Sequence, residues 1–517
     1  RLITIRTHTV NKLPLYEKVG YAMGDAGANL VWRGALAYLA VFYTDTFGIS
    51  AAAAAMLFLV VRLSDGVTDI IMGMIADRTQ SRFGKFRPWI LYSAPFLGLF
   101  MVLCFTTPNF NETNKLIYAY VTYIGLTLAY TVSNVPYSAL MGVMTPDDTE
   151  RTKLSGFRFA GAFTGGLLVM GFLPDLVAYF GGGDNAKGYQ LTMYLFASLL
   201  IALMVITFVS TKERVIAPAS EQGCLKSELF DLTKNLPFII LPLLSTTLFF
   251  YYRDLYSGLF FALVMAAMTV VIKKLLNKNK QTLTGSQRDM VDLLTNKPWL
   301  VLLGIGFLTM MFNGIKYGVI AYYFKYHVAD ELMAGQYFIA LLIVSIFGAL
   351  ATGKLAEIMG KRNLFIASLL LSGLLTTAFY WVPSNNIVAV FTFGCAAEFF
   401  AAMMPTLFFS MLGDSADYSE WKNKRRATGL IYSAGTFVQK TGGGFAGALV
   451  LVVLASYGYN GMDELTINQT LPAMQLLMSW IPAAFAFLGA ALMLIYPLTP
   501  AITQKITEDL AIRRSNV

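Results

Sequence analysis

The stretch at residues 58–73, FLVVRLSDGVTDIIMG, places two carboxylates inside an apolar segment. Asp65 and Asp69 are four residues apart and so share a helix face, with Thr68 beside them and Arg62 about one turn earlier. Charges in hydrocarbon are costly and mostly face a polar pathway. Two carboxylates this close in a low dielectric cannot both stay ionised without a cation or a proton. The stretch therefore predicts a membrane-spanning helix that attracts a cation, unless Arg62 and a second arginine neutralise the pair.

The composition of the whole chain is that of a membrane protein. Of its 517 residues, 56% are hydrophobic and 13% are charged, which is about half the usual share of charge in globular proteins. The two histidines and three cysteines have no paired spacing, which excludes zinc sites, disulfide frameworks and most catalytic triads. We therefore expect an all-α integral membrane protein that is not an enzyme.

Twelve apolar segments each approach or exceed the length of about 20 residues that a bilayer-crossing helix needs. They lie at 27–48, 51–75, 88–106, 115–144, 156–180, 190–211, 299–324, 336–357, 364–382, 387–411, 428–457 and 473–498. Two shorter apolar segments, at 236–252 and 255–272, separate the sixth from the seventh. These two segments predict an inserted hydrophobic hairpin, whose legs either cross the bilayer or lie in its interface. With the hairpin, the chain has fourteen membrane segments.

The chain divides at its middle stretch. The pattern predicts an N-terminal six-helix half at 1–212, a cytoplasmic linker at 213–298 with the hairpin near 236–272, and a C-terminal six-helix half at 299–517. Two such halves joined by a long linker are typical of the major facilitator architecture. Residues 1–18 are polar and lack an apolar core, so we expect no cleavable signal peptide.

Basic residues accumulate after every second apolar segment. The cation-rich connections contain Arg78, Arg82, Lys85, Arg87, Arg151, Lys153, Lys212, Arg214, Lys361, Arg362, Lys422, Lys424, Arg425 and Arg426. By the positive-inside rule these connections and both termini are cytoplasmic. The net charge of +9 is thereby explained without a nucleic-acid partner. We expect a multi-pass protein of the plasma membrane, which is the inner membrane if the cell is Gram-negative.

Further motifs are spread through both halves. They are Tyr21-x-x-Gly24-Asp25, Arg62-x-x-Asp65-x-x-x-Asp69, Arg82-x-Gly84-Lys85-Phe86-Arg87-Pro88-Trp89, Tyr130-Thr131-x-x-Asn134-x-Pro136-Tyr137, Glu150-Arg151-Thr152-x-Leu154-x-x-x-Arg158, Asp414-x-x-Asp417-Tyr418-x-Glu420-Trp421-Lys422 and Gln439-Lys440-x-Gly442-Gly443. This set resembles the glycoside-pentoside-hexuronide:cation symporters, the family of the melibiose permease within the major facilitator superfamily. Only the central insert and the termini fall outside the resemblance.

The resemblance implies specific roles. In the melibiose permease, the residues that match Asp65, Asp69 and Thr131 form the cation site, and the lysine that matches Lys440 lies close by. The tyrosine that matches Tyr130 belongs to the sugar pocket. No cofactor is implied apart from the co-transported ion.

Two positions depart from that permease. Asn134 replaces a sugar-binding aspartate, so it keeps hydrogen-bonding capacity without charge. Thr68 replaces an asparagine beside the cation site and offers one hydroxyl oxygen instead of an amide carbonyl. We expect Asp65, Thr68, Asp69 and Thr131 to bind the cation, which is either sodium, with Asp65 and Asp69 as its ligands, or a proton.

The chain also has charges of its own at membrane depth. Asp25, Asn29 and Arg33 follow one another at four-residue intervals and form a single polar stripe. The residues expected to bind substrate are Asp25, Asn29, Trp32, Arg33, Tyr130, Asn134, Tyr137, Arg158, Lys316, Glu398 and Lys440. The intramembrane bases Arg33, Arg62, Lys316 and Lys440 equal the acids Asp25, Asp65, Asp69 and Glu398 in number. A bound cation would make the cavity positive, which favours an acidic sugar, unless Arg33 or Lys316 pairs with Glu398 or Asp25 for structural reasons.

A third set of charges lies at the cytoplasmic helix ends. We expect a cytoplasmic gate formed by Asp77, Arg78, Arg82, Arg87, Asp414, Asp417 and Lys422. Such a clamp holds one face closed and breaks when the two halves rock against each other.

The sequence thus predicts a cation-coupled symporter that imports a sugar by alternating access, and functions as a monomer among membrane lipids. A uronate-containing oligosaccharide is the first expectation for the substrate. Neutral glycosides such as xylosides or galactosides are the alternative. A lysophospholipid transporter or scramblase is an alternative of another class.

Overall fold

The computed structural model describes most of the chain. The described residues are 12–35, 38–39, 42–49, 51–215, 245, 255–276, 285–330, 332–425, 427–457 and 464–515. All regular structure in these ranges is helical. Within them, ten helices are long and apolar enough to cross a membrane. An all-helical membrane protein is therefore confirmed, and the count of fourteen membrane segments stays a prediction.

The helices that precede residue 216 are called the first half. They are α1 (Leu15–Asn29), α2 (Ala51–Arg78), α3 (Arg87–Cys104), α4 (Glu112–Met144), α5 (Asp148–Gly181) and α6 (Asn185–Ser210). After α1 the chain continues in π-helical turns at Leu30–Ala35 and Phe42–Thr46. The first helix therefore begins twelve residues before the apolar segment that the sequence indicated.

Two helices belong to the region of the insert, α7 (Leu255–Leu276) and α8 (Gly285–Leu294). Helix α7 contains the second predicted leg of the hairpin. Its apolar side chains Tyr256, Leu263 and Val270 are largely exposed. The first predicted leg, at 236–252, lies outside the described residues except for residue 245.

The helices that follow α8 are called the second half. They are α9 (Lys297–Tyr322), α10 (Leu332–Met359), α11 (Lys361–Ala378), α12 (Ile387–Ala401), α13 (Met403–Asn423), α14 (Thr428–Ser456), α15 (Glu464–Met478), α16 (Trp480–Leu494) and α17 (Pro500–Ser515). Helix α9 continues in π-helical turns at Tyr323–Val328. Helix α17, which is polar and follows the last apolar segment, had no counterpart in the sequence prediction.

Side-chain caps fix where several of the helices begin. Asn111, Asp147, Asp184, Asn296 and Asn386 each accept a hydrogen bond from a backbone N–H in the first turn of the helix that follows. Such a cap satisfies one of the N–H groups that a helix start leaves without a partner, and is worth about 1 kcal/mol. Each of these helices thus starts at a defined residue.

The two halves touch closely at one end of the bundle, where α2 and α10 end and α5 and α14 begin. We call this the gate end. Gly73 of α2 faces Gly429 of α14, and a Cβ on either glycine would collide with the carbonyl oxygen of the other. Gly156 of α5 packs in the same way on the Ala349 carbonyl of α10. Small residues at these crossings bring polar side chains of opposite halves within hydrogen-bonding distance.

Candidate cation and substrate site

The carboxylate pair lies at the junction of the two halves. Asp65 and Asp69 project from α2, and their side chains are 5% and 0% exposed. From α4, the Thr131 hydroxyl donates to Asp69 Oδ1 at 2.9 Å. From α14 in the other half, Lys440 Nζ lies 2.9 Å from Asp69 Oδ2 and 3.7 Å from Asp65 Oδ2. The structure therefore brings together three of the four residues expected at the cation site, with Lys440 between the carboxylates.

The fourth residue, Thr68, is placed differently. Its hydroxyl donates to the Asp65 carbonyl of its own helix at 3.0 Å. Nothing is described of the Arg62 side chain, so the sequence alternative of an Arg62 pair stays open. Lys440 supplies one positive charge to the two carboxylates.

An aromatic wall adjoins the carboxylates. The rings of Trp32 and Tyr130 stack with their centroids 5.1 Å apart, and Lys440 Nζ lies 5.9 Å from each ring centre. A cavity of about 10 Å³ lies between Trp32, Tyr130 and Asp65. It has room for about one water molecule. A larger ligand would fit in this cavity only if the wall moved, and it would then lie beside Asp65.

The acid of the first helix is already paired. Arg158 Nε of α5 donates to Asp25 Oδ2 at 2.9 Å, and Arg158 Nη2 donates to the Ser138 hydroxyl at the same distance. Both members of the ion pair are more than 95% buried. Asn29 donates to the Asp25 carbonyl and carboxylate at 2.9 and 3.2 Å. The charge tally from the sequence left out Arg158, and the structure makes it the partner of Asp25.

Two tyrosines lock the same region. The rings of Tyr21 and Tyr137 stack at 4.5 Å. Each hydroxyl donates to the backbone carbonyl of the other residue, at 3.0 and 2.7 Å. Tyr137 thus ties α4 to α1, and Arg158 lies 5.2 Å from its ring centre.

The acid of the second half is also fully engaged. Glu398 of α12 receives Lys316 Nζ of α9 on Oε2 at 3.2 Å. Its Oε1 accepts the hydroxyls of Tyr317 and Ser345, both at 2.9 Å. Glu398 and Lys316 are 2% and 5% exposed. Three donors from two other helices therefore converge on this carboxylate.

Arg33 and Asn134 have no comparable set of polar partners among the described residues. Arg33 stacks 5.3 Å from the ring centre of Phe163 and packs on Gly166. Among the described residues, no carboxylate forms an ion pair with it. Asn134 is 8% exposed, and its Oδ1 accepts no hydrogen bond from the residues that the structure describes. Both side chains can therefore recognise polar groups of a ligand.

A buried arginine links the two halves at the gate end. Arg151 of α5, which is fully buried, donates to Asp414 Oδ1 and to Asp417 Oδ2 of α13, each at 2.8 Å. Lys361 adds a contact to Asp414 Oδ2 at 2.6 Å. On the other side of the bundle, the Asp77 carboxylate of α2 accepts the backbone N–H groups of residues 429 and 430, at the start of α14.

The other residues expected at the gate make contacts within their own half. Arg87 Nη2 donates to the Phe208 carbonyl at 2.6 Å. Arg78 donates to the Met74 carbonyl at 3.0 Å. Arg82 and Lys422 lie over aromatic rings of nearby residues in the chain, Phe83 and Tyr418.

The expected site residues did not include several that complete these networks, among them Ser138, Ser345, Arg151 and Lys361. The sequence did single out Arg151, since it lies in the Glu150-Arg151-Thr152 motif, but its charge was interpreted as marking a cytoplasmic connection. Nothing in the sequence indicated a role for the two serines, because a single hydroxyl in an apolar helix is common. In the described part of the chain, no group of three or more histidine, cysteine or acidic residues is placed to hold a metal ion.

Comparison with known proteins gives a consistent result. The family model described as MFS/sugar transport protein matches residues 20–250 and 236–500. The isoprimeverose transporter of Lactiplantibacillus pentosus is 30% identical over 505 residues, which cover 97% of this chain and 92% of that one. The glucuronide carrier protein homolog of Escherichia coli strain K12 is 24% identical over 507 residues, with 96% and 95% covered.

A solved structure shares the fold. The crystal structure of the Escherichia coli fucose:proton symporter FucP superposes with a TM-score of 0.59 at 10% identity, over 94% of this chain and 98% of that one. The family model and the relatives confirm the family resemblance found in the motifs, and with it the expectation of a transporter and not an enzyme. The chain belongs to the MFS/sugar transport protein family, among the glycoside/cation symporters of the major facilitator superfamily.

Proposed function

We propose that this chain imports an acidic sugar, such as a uronate-containing oligosaccharide, together with one cation that neutralises the Asp65–Asp69 pair. The site's position supports this proposal. Asp69 contacts Lys440 across the interface of the two halves, so a change in its charge alters how strongly the halves attract each other. The sugar cavity begins at the neighbouring Trp32 and Tyr130, so both ligands act on the same interface.

The proposal of an acidic substrate rests on Arg33. The two acids that could have neutralised it, Asp25 and Glu398, are bound to Arg158 and Lys316 instead. A half-buried guanidinium without a carboxylate partner is costly to keep. A uronate would supply that partner through two parallel hydrogen bonds. The proposal is carried by the observation that no carboxylate of the described residues pairs with Arg33.

We propose a proton as the coupling ion. Asp69 is surrounded by donors, since the Thr131 hydroxyl and the Lys440 ammonium both point at it. The Thr68 hydroxyl lies on the same helix face as the two carboxylates, and it donates to a backbone carbonyl. Sodium needs several oxygen acceptors, whereas a proton needs one carboxylate. Lys440 then faces a neutralised carboxylate pair when the proton is bound and an ionised pair when it is released, as the halves rock.

The orientation follows from the basic connections. The gate end carries Arg82, Lys85, Lys361 and Lys424, and the positive-inside rule places such connections in the cytoplasm. The Arg151 clamp therefore closes the cytoplasmic side. The conformation described is the one that receives a sugar from outside once the aromatic wall opens.

Counterflow in proteoliposomes tests the substrate. Vesicles loaded with one unlabelled compound at a time exchange it for a labelled one. A panel should contain a uronate disaccharide, its reduced neutral counterpart, a xyloside and a lysophospholipid. The proposal predicts fast exchange with the uronate and weak exchange with its neutral counterpart. Preferred exchange of the lysophospholipid would contradict sugar transport altogether.

A neutral glycoside is the second candidate. The isoprimeverose transporter, whose named substrate carries no carboxylate, is the more similar of the two relatives described above. In that case Arg33 would bind sugar hydroxyls, and exchange of the xyloside would equal or exceed that of the uronate.

A further inference from the structure

Helix α9 of the second half carries two polar side chains on one face. Asn313 and Tyr317 are four residues apart and so lie one helical turn from each other on the same side. Both are partly exposed, whereas their neighbours Phe312 and Ile315 are fully buried. Polar side chains at this depth mostly face a cavity or a pathway. Neither residue was among those expected at the substrate site from the sequence.

The hydrogen bonds of these two side chains leave acceptor atoms available. The Tyr317 hydroxyl gives its only proton to Glu398 Oε1 at 2.9 Å, and its oxygen keeps its lone pairs. Asn313 Nδ2 donates to the Thr309 carbonyl at 3.1 Å, which fixes the orientation of the amide because only its NH₂ group can donate. Among the described residues, no donor bonds to Asn313 Oδ1. Both side chains therefore present hydrogen-bond acceptors to the space beside α9.

Neighbouring side chains hold the phenol in this role. The Phe338 ring of α10 stacks on Tyr317 with the ring centroids 5.9 Å apart. Ser345, also of α10, lies close to the phenol, but its single proton goes to Glu398 or to a backbone carbonyl of α10, at 2.9 and 2.8 Å. Lys316 binds the other oxygen of Glu398 at 3.2 Å. The network thus directs the Tyr317 proton to Glu398 and leaves the phenol oxygen as an acceptor for a ligand.

Arg33 of the first half approaches the same place. Its guanidinium acts electrostatically on the Tyr317 phenol. It also lies 5.3 Å from the ring centre of Phe163, which packs with Leu342 of α10 in an apolar cluster between the halves. The guanidinium has N–H donors and no acceptor. Donors of the first half therefore stand opposite acceptors of the second half.

We propose that Asn313 and Tyr317 bind hydroxyl groups of the sugar whose carboxylate binds Arg33. This assignment rests on the proposed import of an acidic sugar and names its contacts on the second half. The sugar then has one orientation, with its carboxylate towards α1 and its hydroxyls towards α9. Because the two walls belong to different halves, both hold the sugar only while the halves are close together.

Ligand titration of the full-length protein in lipid nanodiscs tests these contacts. The probes are a uronate disaccharide and its reduced neutral counterpart, which share the remaining hydroxyls. Tyr317→Phe and Asn313→Leu should each weaken binding of both sugars roughly three- to tenfold, the effect of losing one neutral hydrogen bond. Arg33→Gln should weaken binding of the acidic sugar alone. Unchanged affinity for both sugars in Tyr317→Phe would overturn the assignment.

Tyr317→Phe also takes a donor from Glu398, so a second variant separates the two effects. Ser345→Ala takes another donor from the same carboxylate oxygen and measures what a weakened network costs in affinity. Tyr317→Phe should lose clearly more affinity than Ser345→Ala at a similar loss of thermal stability. Equal losses of affinity would assign Tyr317 to the network around Glu398 instead of to the sugar. Tyr179→Phe, which changes an exposed tyrosine near the end of α5, should bind both sugars as the unmodified protein does.

Monodeoxy derivatives of the uronate disaccharide identify the hydroxyl that is bound. One derivative should bind equally to the unmodified protein and to Tyr317→Phe, because the partner of the phenol is missing from it. Another derivative should do the same for Asn313→Leu. The same weakening by Tyr317→Phe for every derivative would show that the phenol contacts no sugar hydroxyl.

Failure of this assignment differs from failure of the acidic substrate. Equal affinity of the unmodified protein for both sugars would contradict the acidic substrate, and the loss in Tyr317→Phe would then still be measured with the neutral sugar. A clear preference for the uronate, together with unchanged affinities in Tyr317→Phe and Asn313→Leu, would overturn only the contacts on α9.

Discussion

Lys440 Nζ lies 2.9 Å from Asp69 Oδ2, although the two residues are 371 positions apart and belong to opposite halves of the transporter. Asp69 is fully buried, and the lysine side chain is 9% exposed. Breaking one partner of such a pair leaves an uncompensated charge at a cost of about 3–5 kcal/mol. The pair therefore links the proposed ion site to the contact between the halves.

Asp69→Asn should leave a folded protein that no longer accumulates sugar. The change removes half of the carboxylate pair and the principal partner of Lys440. Uphill uptake under an imposed proton or sodium gradient measures the effect, and size-exclusion chromatography of the purified variant checks folding. Asp184→Asn, which changes an exposed cap of α6, is a matched control that should transport normally. Unchanged uphill uptake by Asp69→Asn would remove the carboxylate pair from the coupling mechanism.

Arg33→Gln should weaken binding of an acidic oligosaccharide by about 2–5 kcal/mol, the range for truncating one partner of a buried charge pair. A neutral analogue should bind almost as before. Arg33→Lys should retain part of the affinity, because it keeps the charge without the paired donors. Ligand titration of the purified variants measures this. Equal losses for both sugars, or rescue by Glu398→Gln, would assign Arg33 to a structural pair.

Arg151→Gln should open the gate end. The variant leaves Asp414 with Lys361 alone and removes the contact to Asp417, so the closed state loses about 3–5 kcal/mol. Ser410, whose hydroxyl lies 2.8 Å from that of Thr152 across the gate, provides a reporter as Ser410→Cys. A membrane-impermeant maleimide should label it much faster in Arg151→Gln.

The matched control for the gate is Arg82→Gln, since Arg82 is exposed and stacks on its neighbour Phe83. Surface changes of this kind shift stability by at most about 0.5 kcal/mol. Native cysteines are replaced in every variant of the series. Equal labelling rates in Arg151→Gln and Arg82→Gln would show that the arginine clamp does not hold the gate.

Deleting residues 222–286 should preserve transport with a lower yield of protein. The deletion removes α7, whose exposed apolar side chains point away from the bundle, and leaves the central charges untouched. Uptake per inserted molecule is the relevant measurement. Loss of substrate binding in a shortened protein that is still folded and inserted would make the insert part of the pocket.

The membrane helices could be predicted because hydropathy is a local property. The start of α1 could not, since Glu17, Lys18 and Asp25 lower the hydropathy of a segment that is nonetheless helical. Each of these residues has a distant partner. Glu17 pairs with Arg214, Lys18 with Glu150 and Asp25 with Arg158. Pairing across more than a hundred residues lets charged positions enter the bundle, and no local pattern reveals it.

Prediction of the site from the sequence has the same limit. The spacing of Asp65 and Asp69 indicated a shared helix face, and the motif resemblance indicated Lys440 and Thr131 as neighbours. The partner of Glu398 was left open between Arg33 and Lys316. Tertiary packing decides it, because Lys316, Tyr317 and Ser345 converge on this carboxylate from two helices. That arrangement leaves Arg33 without a carboxylate partner among the described residues, which is the basis of its proposed role.

The most direct test of coupled acidic-sugar import uses proteoliposomes with an imposed proton gradient, acid outside, and a labelled uronate disaccharide. We predict accumulation above the external concentration, collapse on addition of a protonophore, and no accumulation with a sodium gradient alone or in Asp69→Asn. Equilibration without accumulation under every imposed gradient would contradict the account.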